Sequence, residues 1–253
     1  MLEIRHLTKV FGKNFKAVDD LSLSVKKGEV FGFLGPNGAG KTTTIKMIVG
    51  LLKPNEGSIS IGGKDIQKDT IAAKLKIGYV PDEPVMMEKI KGIEYLDFIA
   101  DMYGVPLQKR RERVEKLTTA FKLRNALRDI VAGYSHGMKQ KLSLVAALLH
   151  QPDLWILDEP LTGLDPESAF LLKKMMQNHT ESGNTVFFST HLMEIAEKLC
   201  DRIGIIHQGK LLFTGTIEEL KKEKGEATLE RVFLEVTGSE AQQMDFSYLD
   251  ASE

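Results

Sequence analysis

The chain has 253 residues, of which 42% are hydrophobic, and its 34 basic residues nearly balance its 35 acidic ones. This composition can bury a core, which argues against intrinsic disorder, and the net charge of -1 gives no basic footprint for nucleic acid. A single cysteine, Cys200, excludes an internal disulfide framework and is typical of a reducing compartment. The charged N-terminus and the lack of an apolar run of about 20 residues predict a soluble, cytoplasmic globular protein.

The chain begins with segments that have the pattern of strands. Residues 21–25 alternate apolar and polar side chains, as a half-buried strand does, and the apolar run 30–34 predicts a buried strand. A glycine-rich loop follows, and a helix is predicted over 43–52, ended by Pro54 and Gly57. The next strand-like segments are 58–61 and 76–80.

From about residue 88 to residue 150 the pattern becomes helical. One predicted helix face carries Ile93, Leu96, Ala100 and Tyr103. The basic residues within 109–113 are interpreted as a solvated helix face. Ser135 can cap a further helix, which Pro152 ends. The apolar stripe of that helix is Met138, Leu142, Val145 and Leu149.

Strands return after this helical block. The apolar segments 154–157, 185–188 and 203–206 are separated by predicted helices, which is the pattern of βαβ units and of a parallel sheet. The helical block is therefore predicted as an insertion between two portions of one α/β core. From about residue 216 the pattern indicates a charged helix, a short apolar segment over 232–236 and a polar tail.

Residues 35–42 fit the phosphate-loop pattern G-x-x-x-x-G-K-[ST], between an apolar strand and a helix. Glycines let successive backbone N–H groups surround an anion, and the helix N-terminus adds its positive end. Lys41 is predicted to reach the β- and γ-phosphates and Thr42 to ligate Mg²⁺. The alternative, an ordinary glycine-rich turn, is disfavoured by the flanking strand and helix. The predicted nucleotide-binding residues here are Gly35, Pro36, Asn37, Gly38, Ala39, Gly40, Lys41, Thr42 and Thr43.

The segment 154–157 leads into two carboxylates. Because ligands sit at the carboxyl ends of parallel strands, Asp158 is predicted to hold Mg²⁺ through water. Glu159 is predicted to accept a proton from the attacking water or to orient it, and Lys41 and His191 complete the predicted catalytic set. His191 follows another strand and can donate to a γ-phosphate oxygen or link it to Glu159. A solvated acidic turn and a structural histidine are the alternatives.

These motifs, in this order, resemble the nucleotide-binding subunit of ATP-binding cassette (ABC) transporters. Tyr-Ser-His-Gly-Met at 134–138 resembles the family signature Leu-Ser-Gly-Gly-Gln at Ser135 and Gly137, and 164–165 resembles the family's D-loop. The resemblance implies an α/β fold: a P-loop NTPase (RecA-like) core with a strand-rich N-terminal part and an inserted helical subdomain. The implied boundaries are 1–84 and 151–216 for the ATP-binding core, 85–150 for the helical subdomain, 217–253 for a C-terminal extension and about 2–236 for the whole ABC transporter domain.

The resemblance also implies a site shared between two chains. Family domains dimerise head to tail, so Ser135 and Gly137 would address the γ-phosphate of the ATP held by a second ATPase protomer. Because each motif occurs once, the second half of the site must come from another chain, for which an identical copy is expected and a related ATPase is the alternative. Helix capping is the alternative role of Ser135. Phe11 lies where an aromatic side chain stacks on adenine, with Phe15 as a substitute and edge-strand packing as the alternative.

Two residues depart from the family pattern. Asp82 stands where the family has a glutamine that contacts Mg²⁺ and the attacking water and senses the membrane partner. A carboxylate can still ligate Mg²⁺, but it adds negative charge beside a triphosphate. His136 replaces a signature glycine, so that either a protonated ring offsets the added bulk or the side chain points outward.

The same resemblance implies membrane transport. A chain without a membrane span needs transmembrane permease subunits, which would hold it at the cytoplasmic side of the cell membrane. The helical block and the loop 84–91 resemble the surface that receives a permease, with Met86 and Met87 as contacts or as ordinary core residues. The ending 227–236 resembles tails of exporter-type bacterial ATPases of drug, sodium or antibiotic-resistance systems. A soluble cassette ATPase acting on ribosomes or DNA is the alternative, although no nucleic-acid partner is predicted.

Overall fold

The computed structural model describes residues 1–224 and 229–236. Within these residues the strands are β1 (Leu2–Phe11), β2 (Phe15–Val25), β3 (Val30–Leu34), β4 (Glu56–Ile61), β5 (Lys64–Asp65), β6 (Ile77–Val80), β7 (Leu154–Asp158), β8 (Thr185–Thr190), β9 (Arg202–His207) and β10 (Lys210–Gly215). The helices are α1 (Lys41–Ile48), α2 (Thr70–Lys74), α3 (Gly92–Met102), α4 (Leu107–Ala120), α5 (His136–Leu148), α6 (Pro166–Glu181), α7 (Met193–Leu199), α8 (Ile217–Lys224) and α9 (Leu229–Val236). Short 3-10 turns cover Arg124–Arg128 and Val131–Gly133.

The strands form two sheets. An antiparallel sheet has the order β2-β1-β4-β5, and a second sheet has the order β10-β9-β3-β8-β7-β6. In the second sheet β9, β3, β8, β7 and β6 run parallel, and only the edge strand β10 is antiparallel. Non-consecutive neighbours in this order require crossovers, and helices supply them, as the α/β prediction expected.

The parallel register brings four strand ends to one edge. Leu34 pairs with Thr190, Asp158 pairs with Ser189, and Val80 lies beside Leu157. The residues that follow β3, β6, β7 and β8 in the chain therefore emerge side by side. This edge is where a doubly wound sheet binds its ligands.

The core explains why these strands are so apolar. All five residues of β3 and all five of β7 are buried, because helices or the second sheet cover both faces. Phe31 and Phe187 stack with ring centres 5.7 Å apart, and Trp155 is fully buried. Burial of each such side chain contributes about 2–3 kcal/mol. A second apolar cluster joins α3, α4 and α5 to this sheet.

The packing of α5 on β6 leaves no space for a side chain. A Cβ at Gly78 would lie 2.4 Å from the carbonyl oxygen of Ala147, so the glycine allows the helix to approach the strand closely. This contact fixes the helical part of the chain, inserted between β6 and β7, against the strand that ends before Asp82.

Helix ends differ from the sequence-based expectation. Helix α1 begins at Lys41 rather than at residue 43, because Gly40 at φ 109° lets the loop turn directly into the helix. It ends at Ile48, before the predicted 52, and Gly50 at φ 68° donates to the carbonyl of Met47. The segment 232–236 belongs to α9, and the polar tail after 236 lies outside the described residues. In the part of the chain that the structure describes, no helix has both the length and the apolar character to cross a membrane.

Candidate active site

The loop between β3 and α1 is shaped by glycines. Gly38 at φ 80° and Gly40 at φ 109° adopt the left-handed region that a side chain would strain. A Cβ at Gly40 would lie 2.5 Å from the Ala17 carbonyl oxygen, and one at Gly35 would lie 2.5 Å from that of Ile206. The loop therefore packs directly on neighbouring backbone and leads into the positive end of α1, as an anion site requires.

Lys41 lies across this loop and is only 6% exposed. Its ammonium donates to the carbonyl oxygens of Gly35, at 2.7 Å, and Pro36, at 3.3 Å. The same Nζ lies 3.3 Å from Oε1 of Glu159, so one cation connects the phosphate loop (35–42) to the acid that follows β7. Of the other predicted loop residues, Ala39 is buried and donates its N–H to the Pro36 carbonyl at 3.1 Å.

Asp158 is fully buried at the end of β7. Its Oδ1 accepts a hydrogen bond of 2.6 Å from the Ser189 hydroxyl, which in turn accepts one of 3.0 Å from the Glu159 N–H. Within the described residues, Oδ2 of Asp158 is buried without a hydrogen-bond partner. Ser189 thus fixes both acidic residues and leaves one oxygen of Asp158 available to a cation.

Glu159 is held in a conformation unusual for a residue with a side chain, at φ 45°. Its Oε2 lies 3.0 Å from Nδ1 of His191, and its Oε1 faces Lys41. The side chain is 13% exposed. A carboxylate that is held between a lysine and a histidine, and that is partly open to solvent, can orient a water molecule and accept its proton.

A cavity of 510 Å³ brings the predicted metal ligands together. Thr42, Asp82 and Asp158 line it, together with Tyr79 of β6. Burial raises the pKa of the Asp82 carboxyl, and the charges of Asp158 and Glu159 raise it further. Burial also raises the pKa of Tyr79, and the charges of Asp158 and Asp82 raise it further.

The donor set of this cavity fits a hard cation. Two carboxylates and a hydroxyl supply oxygen ligands of the kind that Mg²⁺ takes while keeping several waters. Across residues 1–224 and 229–236, no group of three or more His, Cys, Asp or Glu side chains is arranged to hold a metal, so a cation here would depend on this mixed set of two carboxylates and a hydroxyl. The cavity next to the phosphate loop is therefore the candidate cation site.

The two matching signature residues lie at the start of α5. Ser135 is exposed and caps the helix, accepting a hydrogen bond of 3.3 Å from the Met138 N–H. A Cβ at Gly137 would lie 3.1 Å from the Gly163 carbonyl oxygen. The ring of His136 contacts Gly163 as well, since a Cβ at that glycine would lie 2.6 Å from the imidazole Cδ2. The signature therefore packs on the turn after Glu159 in its own chain.

The remaining predicted residues lie at the turn between β1 and β2, in the phosphate loop and in the first turn of α1. Phe11 lies where β1 turns into β2, is 42% exposed, and has Nζ of Lys9 5.4 Å from its ring centre. Phe15 opposite is 66% exposed. Asn37 is exposed in the loop, and Thr43 is half-buried in the first turn of α1. An aromatic ring with a cation over it is an available stacking surface.

Two site features were missed by the sequence analysis. Ser189 was not among the predicted site residues, although its hydroxyl joins Asp158 to Glu159. The available signal was a hydroxyl residue near the end of an apolar strand, which the structure places beside β7. Gln140, buried beside the signature, had no signal beyond a polar residue within a helix that packs on the core.

Comparisons with known proteins identify the family of this chain. The family model described as ABC transporter matches residues 18–162. Linearmycin resistance ATP-binding protein LnrL of Bacillus subtilis (strain 168) is 41% identical over 229 residues, which cover 90% of this chain and 73% of LnrL. Bacitracin transport ATP-binding protein BcrA of Bacillus licheniformis is 37% identical over 223 residues, which cover 88% of this chain and 72% of BcrA.

A solved structure of the ATP binding subunit of an ABC transporter superposes with a TM-score of 0.90 at 34% identity, covering 94% of this chain and 99% of that one. The predicted α/β P-loop core is thereby confirmed. The phosphate loop, the paired acids and the fold together place this chain in the ABC transporter family, as an ATP-binding and ATP-hydrolysing subunit.

Proposed function

We propose that this chain powers a membrane exporter as one of two identical ATPase subunits, each ATP being clamped between them. The observation that supports it best is the position of Glu159, held between Lys41 and His191 at the edge of the sheet. The names of LnrL and BcrA, which refer to antibiotic resistance and to bacitracin transport, favour transport over action on ribosomes or DNA. The near-zero net charge supports the absence of a nucleic-acid partner.

In this proposal Mg²⁺ accompanies the triphosphate. Thr42 and Asp158 would hold it, with Asp82 as a third oxygen donor on the same cavity. The buried, unpartnered Oδ2 of Asp158 supports this assignment, because a buried carboxylate oxygen needs a compensating charge or donor. When bound, the cation would neutralise phosphate charge.

The chain's own groups then divide the remaining work. Lys41 would exchange its contacts with Gly35 and Pro36 for phosphate oxygens. Glu159 would orient the attacking water and accept its proton. His191, whose Nδ1 lies 3.0 Å from Glu159, would hold that carboxylate in place by donating its N–H to it.

The second subunit follows from the position of the signature. Ser135 is exposed at the N-terminus of α5, where helix amide groups and a hydroxyl can face an anion. The contacts described for Ser135 and Gly137 are with α5 itself and with Gly163, not with the phosphate loop of the same chain. A second copy would present its own Ser135 and Gly137 to the bound ATP.

The permease would dock beside Asp82. Leu51 and Val85, which are 65% and 88% exposed, line the same cavity as Asp82. Met87 in the adjoining loop is 46% exposed, whereas Met86 packs against the core. An exposed apolar group of this kind suits a helix of a membrane protein, and it would place the ATPase at the cytoplasmic side of the membrane.

The test uses Glu159→Gln in the full chain, with Glu167→Gln, an exposed glutamate on α6, as the matched control. We expect Glu159→Gln to lower the rate of phosphate release by about 10³-fold, because a positioned base contributes about 10²–10⁴-fold. Light scattering should show a dimer that persists in ATP and Mg²⁺, while Glu167→Gln behaves like the wild type. A Glu159→Gln protein that hydrolyses ATP rapidly, or stays monomeric at saturating ATP, would contradict the proposal.

A further inference from the structure

Gln140 is a polar side chain in an environment that does not satisfy it. The residue is 0% exposed, and within residues 1–224 and 229–236 neither its amide nitrogen nor its amide oxygen has a hydrogen-bond partner. A buried amide without partners is costly, since it has given up its hydrogen bonds to water. Either the protein tolerates the cost of the unpaired amide, or the amide is paired in a second conformation of the protein.

Its neighbours on α5 locate it at a contact between two functional segments. His136, one helical turn before it, packs on Gly163. Lys141, the next residue, forms an ion pair of 2.7 Å with Asp165. Ser143, almost one turn later, lines the cavity that contains Asp82 and Asp158. Because residues three and four apart share a helix face, Gln140 lies where α5 meets the turn formed by residues 159–165.

The 159–165 turn is suited to exchanging hydrogen bonds. Its own backbone bonds are long, at 3.2 Å from the Thr162 N–H to the Glu159 carbonyl and 3.4 Å from the Leu164 N–H to the Leu161 carbonyl. Gly163 at φ 77° leaves the backbone open to close approach. Peptide groups held by such long bonds can exchange them for a bond to a side-chain amide.

We propose that Gln140 is a positioning residue that couples the signature helix to Glu159 by pairing its amide with peptide groups of the 159–165 turn during turnover. The inference rests on the proposed shared site, in which ATP acts on both sides of this contact: on Glu159 at the start of the turn and on Ser135 at the start of α5. The unpaired amide of Gln140 destabilises the arrangement of α5 and the turn seen in this structure. It therefore shifts the equilibrium toward the arrangement in which the amide is paired and Glu159 is held for hydrolysis.

The test compares Gln140→Met, which keeps the length of the side chain but removes the amide, with Leu142→Met, a swap at another fully buried position of α5. For Gln140→Met we expect the Tm measured without nucleotide to rise by about 3 °C, because an unpaired buried amide is removed. The kcat for ATP should fall roughly tenfold while KM stays within about twofold, since Lys41 and the phosphate loop are untouched. Leu142→Met should keep the wild-type kcat and KM.

A Gln140→Met protein with the wild-type kcat would overturn the proposal, whatever its Tm. A Tm that falls without nucleotide would also overturn it, because the amide would then be paired already. Gln140→Leu serves as a second variant under the same criteria if the methionine variant does not fold. Failure of the proposed shared site is distinguishable: wild type and Leu142→Met would then also fail to dimerise with ATP.

Discussion

Ser189→Ala tests whether one buried hydroxyl organises the catalytic edge of the sheet. The Ser189 hydroxyl donates to Oδ1 of Asp158 at 2.6 Å and accepts from the N–H of Glu159 at 3.0 Å. Asp158 and Ser189 are both fully buried, so water cannot replace the lost bonds without rearrangement. The substitution removes only one oxygen atom and leaves at most a small cavity. Its effect on stability therefore reports the lost hydrogen bonds rather than lost packing.

The expected loss of stability follows from the two bonds. A hydrogen bond to a carboxylate contributes about 1.5–3 kcal/mol and a neutral one about 1 kcal/mol. We expect the free energy of unfolding of Ser189→Ala to fall by about 3 kcal/mol, which lowers Tm by about 6–12 °C in a chain of this size. We also expect kcat to fall about 10- to 100-fold, because Glu159 at φ 45° loses the acceptor that holds its backbone.

Thermal unfolding and phosphate release measured on the same preparations check both numbers. The matched control is Thr118→Val, which removes another buried hydroxyl, one that donates 2.6 Å to the Val114 carbonyl within α4. This control should cost about 1 kcal/mol and leave kcat unchanged. The reasoning fails if Ser189→Ala keeps its Tm within about 2 °C of the wild type, or if both variants lose activity equally.

Two further substitutions probe a titrating group and the base-stacking surface. Burial lowers the pKa of His150 from 6.5 to about 4, so the folded chain keeps this ring neutral at a pH where the unfolded chain protonates it. The free energy of unfolding is therefore greatest above pH 6.5 and falls by about 3 kcal/mol on descent to pH 4. His150→Phe should flatten that loss in thermal melts across this pH range. An unchanged pH slope would exclude His150 as its source. Phe11→Ala should raise the Kd for ATP about tenfold and leave kcat at saturation unchanged, whereas Phe15→Ala should leave Kd unchanged. Titration calorimetry measures both Kd values. If Phe11→Ala binds ATP as tightly as the wild type does, Phe11 has only a packing role.

Much of the site could be predicted because its parts are local or follow a topological rule. The phosphate loop is a contiguous pattern, and it lies between the predicted strand and the predicted helix, although that helix begins and ends earlier than expected. Asp158 and His191 were assigned to one edge because parallel strands deliver their carboxyl ends together, and β7 and β8 are neighbours in the sheet. The contact between Glu159 and His191, at 3.0 Å, follows from that rule.

The features that escaped prediction depend on contacts between distant residues. The bond between Ser189 and Asp158 joins residues 31 apart in the chain, and nothing in either segment alone identifies it. The left-handed conformation of Glu159 is imposed by the turn that must carry it from β7 toward Lys41. The helical block contains two 3-10 turns among its helices, because the 124–133 segment packs under α3 rather than continuing a helix.

The aspartate at position 82 shows how a departure from the family pattern can be accommodated. Sequence reasoning found extra negative charge there unfavourable, and the raised pKa of Asp82 agrees, since burial and then the charges of Asp158 and Glu159 disfavour its ionised form. If the proposed divalent cation were held by Asp82 and Asp158, it would reverse the sign of that effect, because both carboxylates would then attract a common charge. In the proposed Mg²⁺ site, Asp82 therefore ties the loop after β6 to the cation more strongly than a neutral amide would, and a permease helix seated beside Val85 would act on that link.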